Sequence, residues 1–398
     1  MSGGCHAQPV VVRKTQYMMV TSRTRRDPVL DASKGILILL VILGHLLARS
    51  NPGDGFVTKA MITGIYAFHM PAFVFLAGIT SKPRGILQRC TQFLTLLVVF
   101  QVAYFLARRV MGSDATFSWE RPYWILWFLL SMAVWTVLTP LIAKIPRTSL
   151  ILSVLISLAS GTIDVIDYPY SASRTLVFLP FFVLGFTYGK PILAYFSQLR
   201  LRGRTVVTGA ALLIFGFLLY WSPNHKWFYG SRGYDVLDVS DPMGVIYRLV
   251  LQICAVVLTA GLLALVPRDP GLLVRFGQRS LSIFLLHGFA ILAVARYAKI
   301  MAKDNRYEAV VIYVILMAGI ALLASMQPVH QVIGRIGTLL LPLIEKVSPS
   351  SPVAGTGRAQ PVYPGPDKEP LRAEEPHVSE GADDRHVGVA AQTRPGAR

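Results

Sequence analysis

The chain has 398 residues, 53% hydrophobic and only 15% charged, against about 25% charged in an average soluble domain; its long uncharged apolar runs exclude a soluble globular domain and predict an all-α, polytopic membrane protein. A formal net charge of +18 would direct a soluble protein toward nucleic acid, but in a membrane protein lysine and arginine mark topology, and no nucleic-acid partner is expected. Three cysteines, Cys5, Cys90 and Cys254, lie too far apart for a disulfide framework or a metal-ligand spacing, so no metal is expected.

In chain order, residues 1–28 are basic, lack a sustained apolar core and read as a cytoplasmic segment without a cleavable signal peptide. A membrane domain follows over 29–346. Its ten apolar segments fall at about 30–48, 57–79, 90–110, 123–143, 148–164, 175–189, 205–221, 245–266, 280–298 and 309–326. The fifth and sixth are short and read as tilted, shallow or partly re-entrant. Residues 330–346 read as an interfacial helix or a poor eleventh span. The tail, 347–398, is rich in Pro, Gly, Ala and charge and reads as disordered and cytoplasmic.

Orientation follows from charge. One set of loops is basic: Arg13, Lys14, Arg23, Arg25 and Arg26, then Lys82, Arg84 and Arg89, Lys144 and Arg147, Lys190 with Arg200, Arg202 and Arg204, and Arg268, Arg275 and Arg279. The other set holds most of the acids: Asp54, Asp114, Glu120, Asp164, Asp167, Asp235, Asp238, Asp241, Asp304 and Glu308. The sets alternate across ten spans, which predicts a cytoplasmic N-terminus.

The first span, "LDASKGILILLVILGHLLA", carries Asp31, Lys34 and His45. Eleven residues return a helix to within about 20° of its starting direction, so Lys34 and His45 share a face, about 16 Å apart along the axis. They form no compact dyad. Taken singly, Lys34 suits a snorkelling anchor and Asp31 a helix-start charge. His45 inside a span reads as functional, and neutral imidazole is a competent general base.

The stretch "DASKGILILLVILGH" resembles the first-span signature of the membrane-bound acyltransferase-3 family, a basic residue, ten intervening residues and a histidine. Its Lys and "GH" look most like the fucose 4-O-acetylase-like branch. "AFHMPAFVFLAG" (67–78), "ILWFLLSM" (125–132), "SRTLVFLPFFVLGF" (173–186) and "GQRSLSIFLLHGF" (277–289) resemble later family motifs in the same order. One departure is "LAG", where many relatives have Ser-Gly; alanine is small enough for the same packing. The resemblance covers about residues 26–326.

The resemblance implies O-acyl transfer, usually of acetyl from acetyl-CoA, to a hydroxyl of a sugar or glycan at the lipid bilayer. His45 is then the catalytic base, an acyl-histidine being the less favoured variant. Lys34, Asp31, Arg84 and Arg89 are expected at the donor, and His69, Trp127 and Arg174 at the acceptor. Trp124 reads as packing. His287 reads as structural, because its counted depth lies far from that of His45. The loop at 222–244, aromatic and polar together, is assigned to acceptor contact. The competing class is a transporter or flippase lined by the same polar residues; no internal inverted repeat supports it.

Overall fold

The computed structural model describes residues 27–50, 55–301 and 306–343; side chains at 50, 297–301 and 306–308 are not described. The basic segment 1–26, Asp54, Asp304 and the tail 347–398 lie outside the described residues, as does the Glu308 side chain.

Among the described residues every regular element is a helix. In chain order they are α1 (Pro28–Ser50), α2 (Phe56–Tyr66), α3 (His69–Thr80), α4 (Ile86–Val110), α5 (Trp127–Lys144), α6 (Pro146–Ala159) and α7 (Ala172–Gln198). There follow α8 (Leu201–Trp221), the short α9 (Lys226–Tyr229), α10 (Asp241–Leu265), α11 (Leu272–Gln278), α12 (Ser280–Met301), α13 (Arg306–Ala324) and α14 (Gln327–Thr338). The fold is a polytopic helix bundle. Among the described residues seven stretches are long and apolar enough to cross a membrane, and two further pairs, bent by 84° and 64°, bring the number to nine if each pair is one span.

The ten expected segments all fall on helices, with two corrections. The fifth is short, as expected: α6 has 14 residues and is about 21 Å long, less than a hydrocarbon core of about 30 Å. The sixth is not short: α7 runs 27 residues through Pro180 and Pro191. The second is broken, because α2 ends at Tyr66 and α3 starts at His69. Phe68 leaves helical geometry (φ −142°, ψ −15°), and Pro71, which lacks an N–H, sits in the first turn of α3, where the helix needs none. The segment after α13 folds as α14, one face of which buries Ile333 and Gly337.

Lipid and protein faces separate cleanly. In α8 only Leu218 is buried, while Leu212, Leu213, Phe217 and Tyr220 are exposed. In α3 every residue from His69 to Ile79 except Met70 is buried. Lipid tails are as apolar as leucine, so helices associate by close packing rather than by a solvent-driven effect. Four such contacts, in two helix pairs, position the site. A Cβ at Gly185 would fall on the Phe75 carbonyl and one at Gly78 on the Phe182 carbonyl, so α3 and α7 meet backbone to backbone. A Cβ at Gly277 would fall on the Asp31 carbonyl, and one at Gly35 on the Leu273 carbonyl, which seats α11 on the first turns of α1.

Candidate active site

The helix α1 is continuous from Pro28 to Ser50, so Lys34 and His45 do share one helix. α3 runs antiparallel to it and repeats the spacing: its first residue, His69, lies beside His45 (ring centroids 6.5 Å), and its last, Thr80, lies beside Lys34 (Nζ to Oγ1 3.4 Å). The two ends of the bundle are therefore equipped separately.

At the His45 end a cavity of about 270 Å³ is lined by His45, Arg49, His69, Trp124, Trp127 and Arg174, and closed by Tyr66, Phe228 and Tyr229. His45 is held by Tyr66, whose Oη lies 3.1 Å from Nδ1 of His45 and 3.3 Å from the Gly44 carbonyl. A carbonyl only accepts, and the phenol has one proton. Both contacts are hydrogen bonds when Tyr66 donates to Gly44 and His45 Nδ1–H donates to the phenol oxygen; Nε2 then carries the lone pair. Gly44 makes this approach possible, since a Cβ there would press on Ile65 and the Tyr66 ring. Replacing Tyr66 with phenylalanine should lower kcat of the reaction proposed below about tenfold, the net worth of one such bond. Steady-state rates check this; an unchanged kcat would remove Tyr66 from the site.

The break between α2 and α3 has its own polar consequence. It leaves the Ile65 carbonyl to the Phe68 N–H at 3.4 Å and to His69 Nδ1–H at 2.9 Å. His69 thus keeps Nε2 unprotonated in its neutral form. His287 repeats the pattern on α12: Nδ1–H donates to the Ile283 carbonyl at 3.2 Å, and Nε2 is buried without a partner among the described residues. Its ring stacks on His45 with centroids 5.6 Å apart.

That last contact corrects the depth reading of His287. Because Gly277 rests on the Asp31 backbone, α12 starts beside the first turn of α1 and runs alongside it. The seven residues from Ser280 to His287 carry it about 10 Å along α1, whose own rise from Asp31 to His45 is about 21 Å; the α11 turn before Ser280 and the two side chains cover the difference. Counting from an assumed membrane edge missed this, since α11 meets α12 at 84°.

Trp124 is likewise more than packing. Its ring lies 4.6 Å from that of His45, closer than any other aromatic ring to it among the described residues. Arg174 enters from the start of α7, its guanidinium 5.3 Å from the centre of the Trp127 ring and its Nε donating to the Tyr229 carbonyl at 3.3 Å. The 222–244 loop is a built wall. Ser173 Oγ donates to Gly230 O (3.0 Å), Tyr234 is fully buried with its hydroxyl on Leu158 O (2.7 Å), and Arg248 ties Ser157 and Ser160 to Arg232. Burial pushes the Tyr229 phenol up while Arg174 pulls it down.

A family profile described as "Acyltransferase domain" matches residues 27–326. The chain belongs to this acyltransferase family. It is similar to nodulation protein NolL of Sinorhizobium fredii strain NGR234, 31% identical over 191 residues, 42% of this chain and 50% of the relative. It is also similar to NolL of Mesorhizobium japonicum, 28% identical over 190 residues, 42% of this chain and 49% of the relative. The chain thus spans about half the length of the curated relatives it matches. No solved structure matches it.

The other expected residues lie away from this cavity. Asp31 is buried and its Oδ2 accepts from Gln278 Nε2 at 3.1 Å, a tie between α1 and α11. Lys34 is half-buried at Thr80. Arg84 is exposed on the turn after α3, and Arg89 closes that turn by donating to the Lys82 and Arg84 carbonyls. Of the expected residues, His45, His69, Trp127 and Arg174 converge on one cavity, and Lys34, Arg84 and Arg89 stand at the opposite end of α3. Sequence reasoning missed Tyr66, Arg49, Trp124 and His287 as neighbours of His45. Only the "LLH" of the last motif signalled one of them.

Proposed function

We propose that this acyltransferase moves an acetyl group from acetyl-CoA to a hydroxyl of a sugar or envelope glycan, with His45 as general base, in a cell membrane and with its N-terminus on the cytoplasmic side. The observation that carries the reading is the Tyr66–His45 contact within the cavity, which holds the imidazole by Nδ1 and leaves Nε2 for the substrate. In the proposed step Nε2 takes the proton of the attacking hydroxyl as its oxygen adds to the thioester carbonyl. Collapse of the tetrahedral oxyanion expels the CoA thiolate, which recovers the proton from the imidazolium. Arg174 stands where it can hydrogen-bond the oxyanion or the sugar.

A sugar is favoured as acceptor by the cavity's chemistry. Trp124, Trp127, Tyr66 and Tyr229 offer aromatic faces beside the donors Arg49 and Arg174, which matches a ring with apolar faces and hydroxyl edges. At the far end, Lys34 with Arg84 and Arg89 serves the phosphates of the donor, and Asp31 orders that end through Gln278.

The test is acetyl transfer from labelled acetyl-CoA in membranes containing the protein, with mass spectrometry of envelope glycans made with and without it. A glycan gaining one acetyl group is the expected result; unchanged glycans would overturn the reading. Lys34→Ala should raise KM for acetyl-CoA about tenfold, the worth of one charge-assisted contact, while leaving KM for acetyl-pantetheine, which has no phosphate, unchanged. Equal changes for both donors would remove Lys34 from the phosphate site.

A further inference from the structure

A second, larger cavity adjoins the first. Its volume is about 360 Å³, and it shares Arg49 and Trp124 with the His45 cavity. Beyond those two, the residues that matter to its chemistry are Arg108, Arg121, Tyr123 and Gln101. It thus presents three guanidinium groups and no carboxylate among its lining residues. The acids of the same loop, Asp114 and Glu120, pair with none of them: Arg232–Asp167 is the one ion pair among the described residues.

The cavity is built rather than left over. Gln101, a buried amide on α4, donates to the carbonyls of Ser118 (2.8 Å) and Arg121 (3.2 Å) and accepts from the Tyr123 N–H (2.7 Å). That clamp holds the 118–123 loop, so that Arg121 and Arg108 both line the cavity, and it leads into Trp124, whose backbone is left-handed at φ +31°. A non-glycine residue in that conformation persists only where its surroundings over-determine it. Two of the guanidiniums lie over aromatic rings, Arg49 4.8 Å from the Trp124 centroid and Arg108 5.5 Å from that of Tyr123. Stacking occupies the face of a guanidinium and leaves its N–H edge for an oxyanion. Arg108 Nη2 also donates to Ser113 Oγ (3.0 Å), which fixes its direction.

Three guanidiniums lining one cavity, with no carboxylate among its lining residues, make its potential positive and favour an anion. A single carboxylate would balance one; a diphosphate balances two or three and offers the tetrahedral oxygens that guanidinium forks grip. We propose that the Arg49–Arg108–Arg121 cavity is a phosphoryl-oxyanion subsite, which takes the diphosphate of a substrate whose reacting end lies at His45. The inference rests on the acyl-transfer reading only for what that substrate is. With the donor's phosphates assigned to the Lys34 end, the diphosphate is that of a phosphate-bearing glycan acceptor; binding of CoA here is the outcome that would move the donor's phosphates away from Lys34.

The test uses the full chain in nanodiscs of neutral lipid, titrated calorimetrically with inorganic diphosphate. It does not depend on acyl transfer, so its failure and that of the proposed reaction are distinguishable. The wild type should bind, more weakly as salt rises. Arg108→Gln with Arg121→Gln should weaken binding by about tenfold per arginine, and Arg202→Gln, exposed on α8, should leave it unchanged. The pair Arg108→Lys with Arg121→Lys keeps the charge and loses the fork, so it should fall between; this pair serves if the glutamine variants do not fold. Displacement of bound diphosphate by CoA but not by acetyl-pantetheine assigns the subsite to the donor. Simultaneous binding of CoA and diphosphate assigns it to the acceptor. No binding by the wild type, or equal binding by wild type and both arginine variants, would overturn the proposal.

Discussion

Acyl transfer should fall by about 10²- to 10⁴-fold when His45 is replaced by alanine, the range a positioned general base contributes. The expectation rests on more than the presence of a histidine in a span. His45 is the residue that the Tyr66 hydroxyl orients and that three other rings, Trp124, His69 and His287, surround. The substitution should spare the fold, because Tyr66 retains the Gly44 carbonyl as its partner and the α1 backbone carries the remaining contacts. Labelled-acetyl transfer in membranes, with protein amount and thermal unfolding measured alongside, decides the matter. Full activity in the variant would end the role of His45 as base. His287→Gln is the informative companion: it keeps the stack partly filled and removes the imidazole whose Nε2 has no partner.

The second large effect is structural. Gly185→Val should abolish folded protein or lower stability by about 3 kcal/mol or more, the upper part of what overpacking costs. The clash is with the Phe75 backbone carbonyl, which cannot move aside without separating α3 from α7. These helices carry His69 and Arg174, so the site would go with the fold. Gly209→Val is the matched control: nothing lies within 4 Å of the added Cβ, and the same helix-propensity change there should be tolerated. Equal melting temperatures for the two variants in detergent would show that the α3–α7 contact is not what holds the bundle.

The "LAG" departure in the second motif finds its account in the same contact. The glycine that matters is Gly78, against the Phe182 carbonyl, whereas Ala77 is buried but accommodated. The motif glycines at 78, 185 and 277 are therefore packing residues, and each sits where two backbones meet.

What the sequence determined by itself follows from local regularities. Helical periodicity and apolar length identify an all-α membrane bundle, and a spacing of eleven puts Lys34 and His45 on one face at different depths. The ordered motifs mark His45, His69, Trp127 and Arg174, all of which reach one cavity. The tertiary structure alone decided which residues surround His45. Tyr66 and His69 reach it because the chain breaks at Phe68; His287 reaches it because a bent helix starts beside Asp31. Trp124 joins because the Gln101 clamp folds the α4–α5 loop inward. Each depends on a break, a bend or a loop conformation, and none of these leaves a periodic signature. A helix's own face is written in its spacing, but what that face meets is set by the tilt and register of helices distant in the chain.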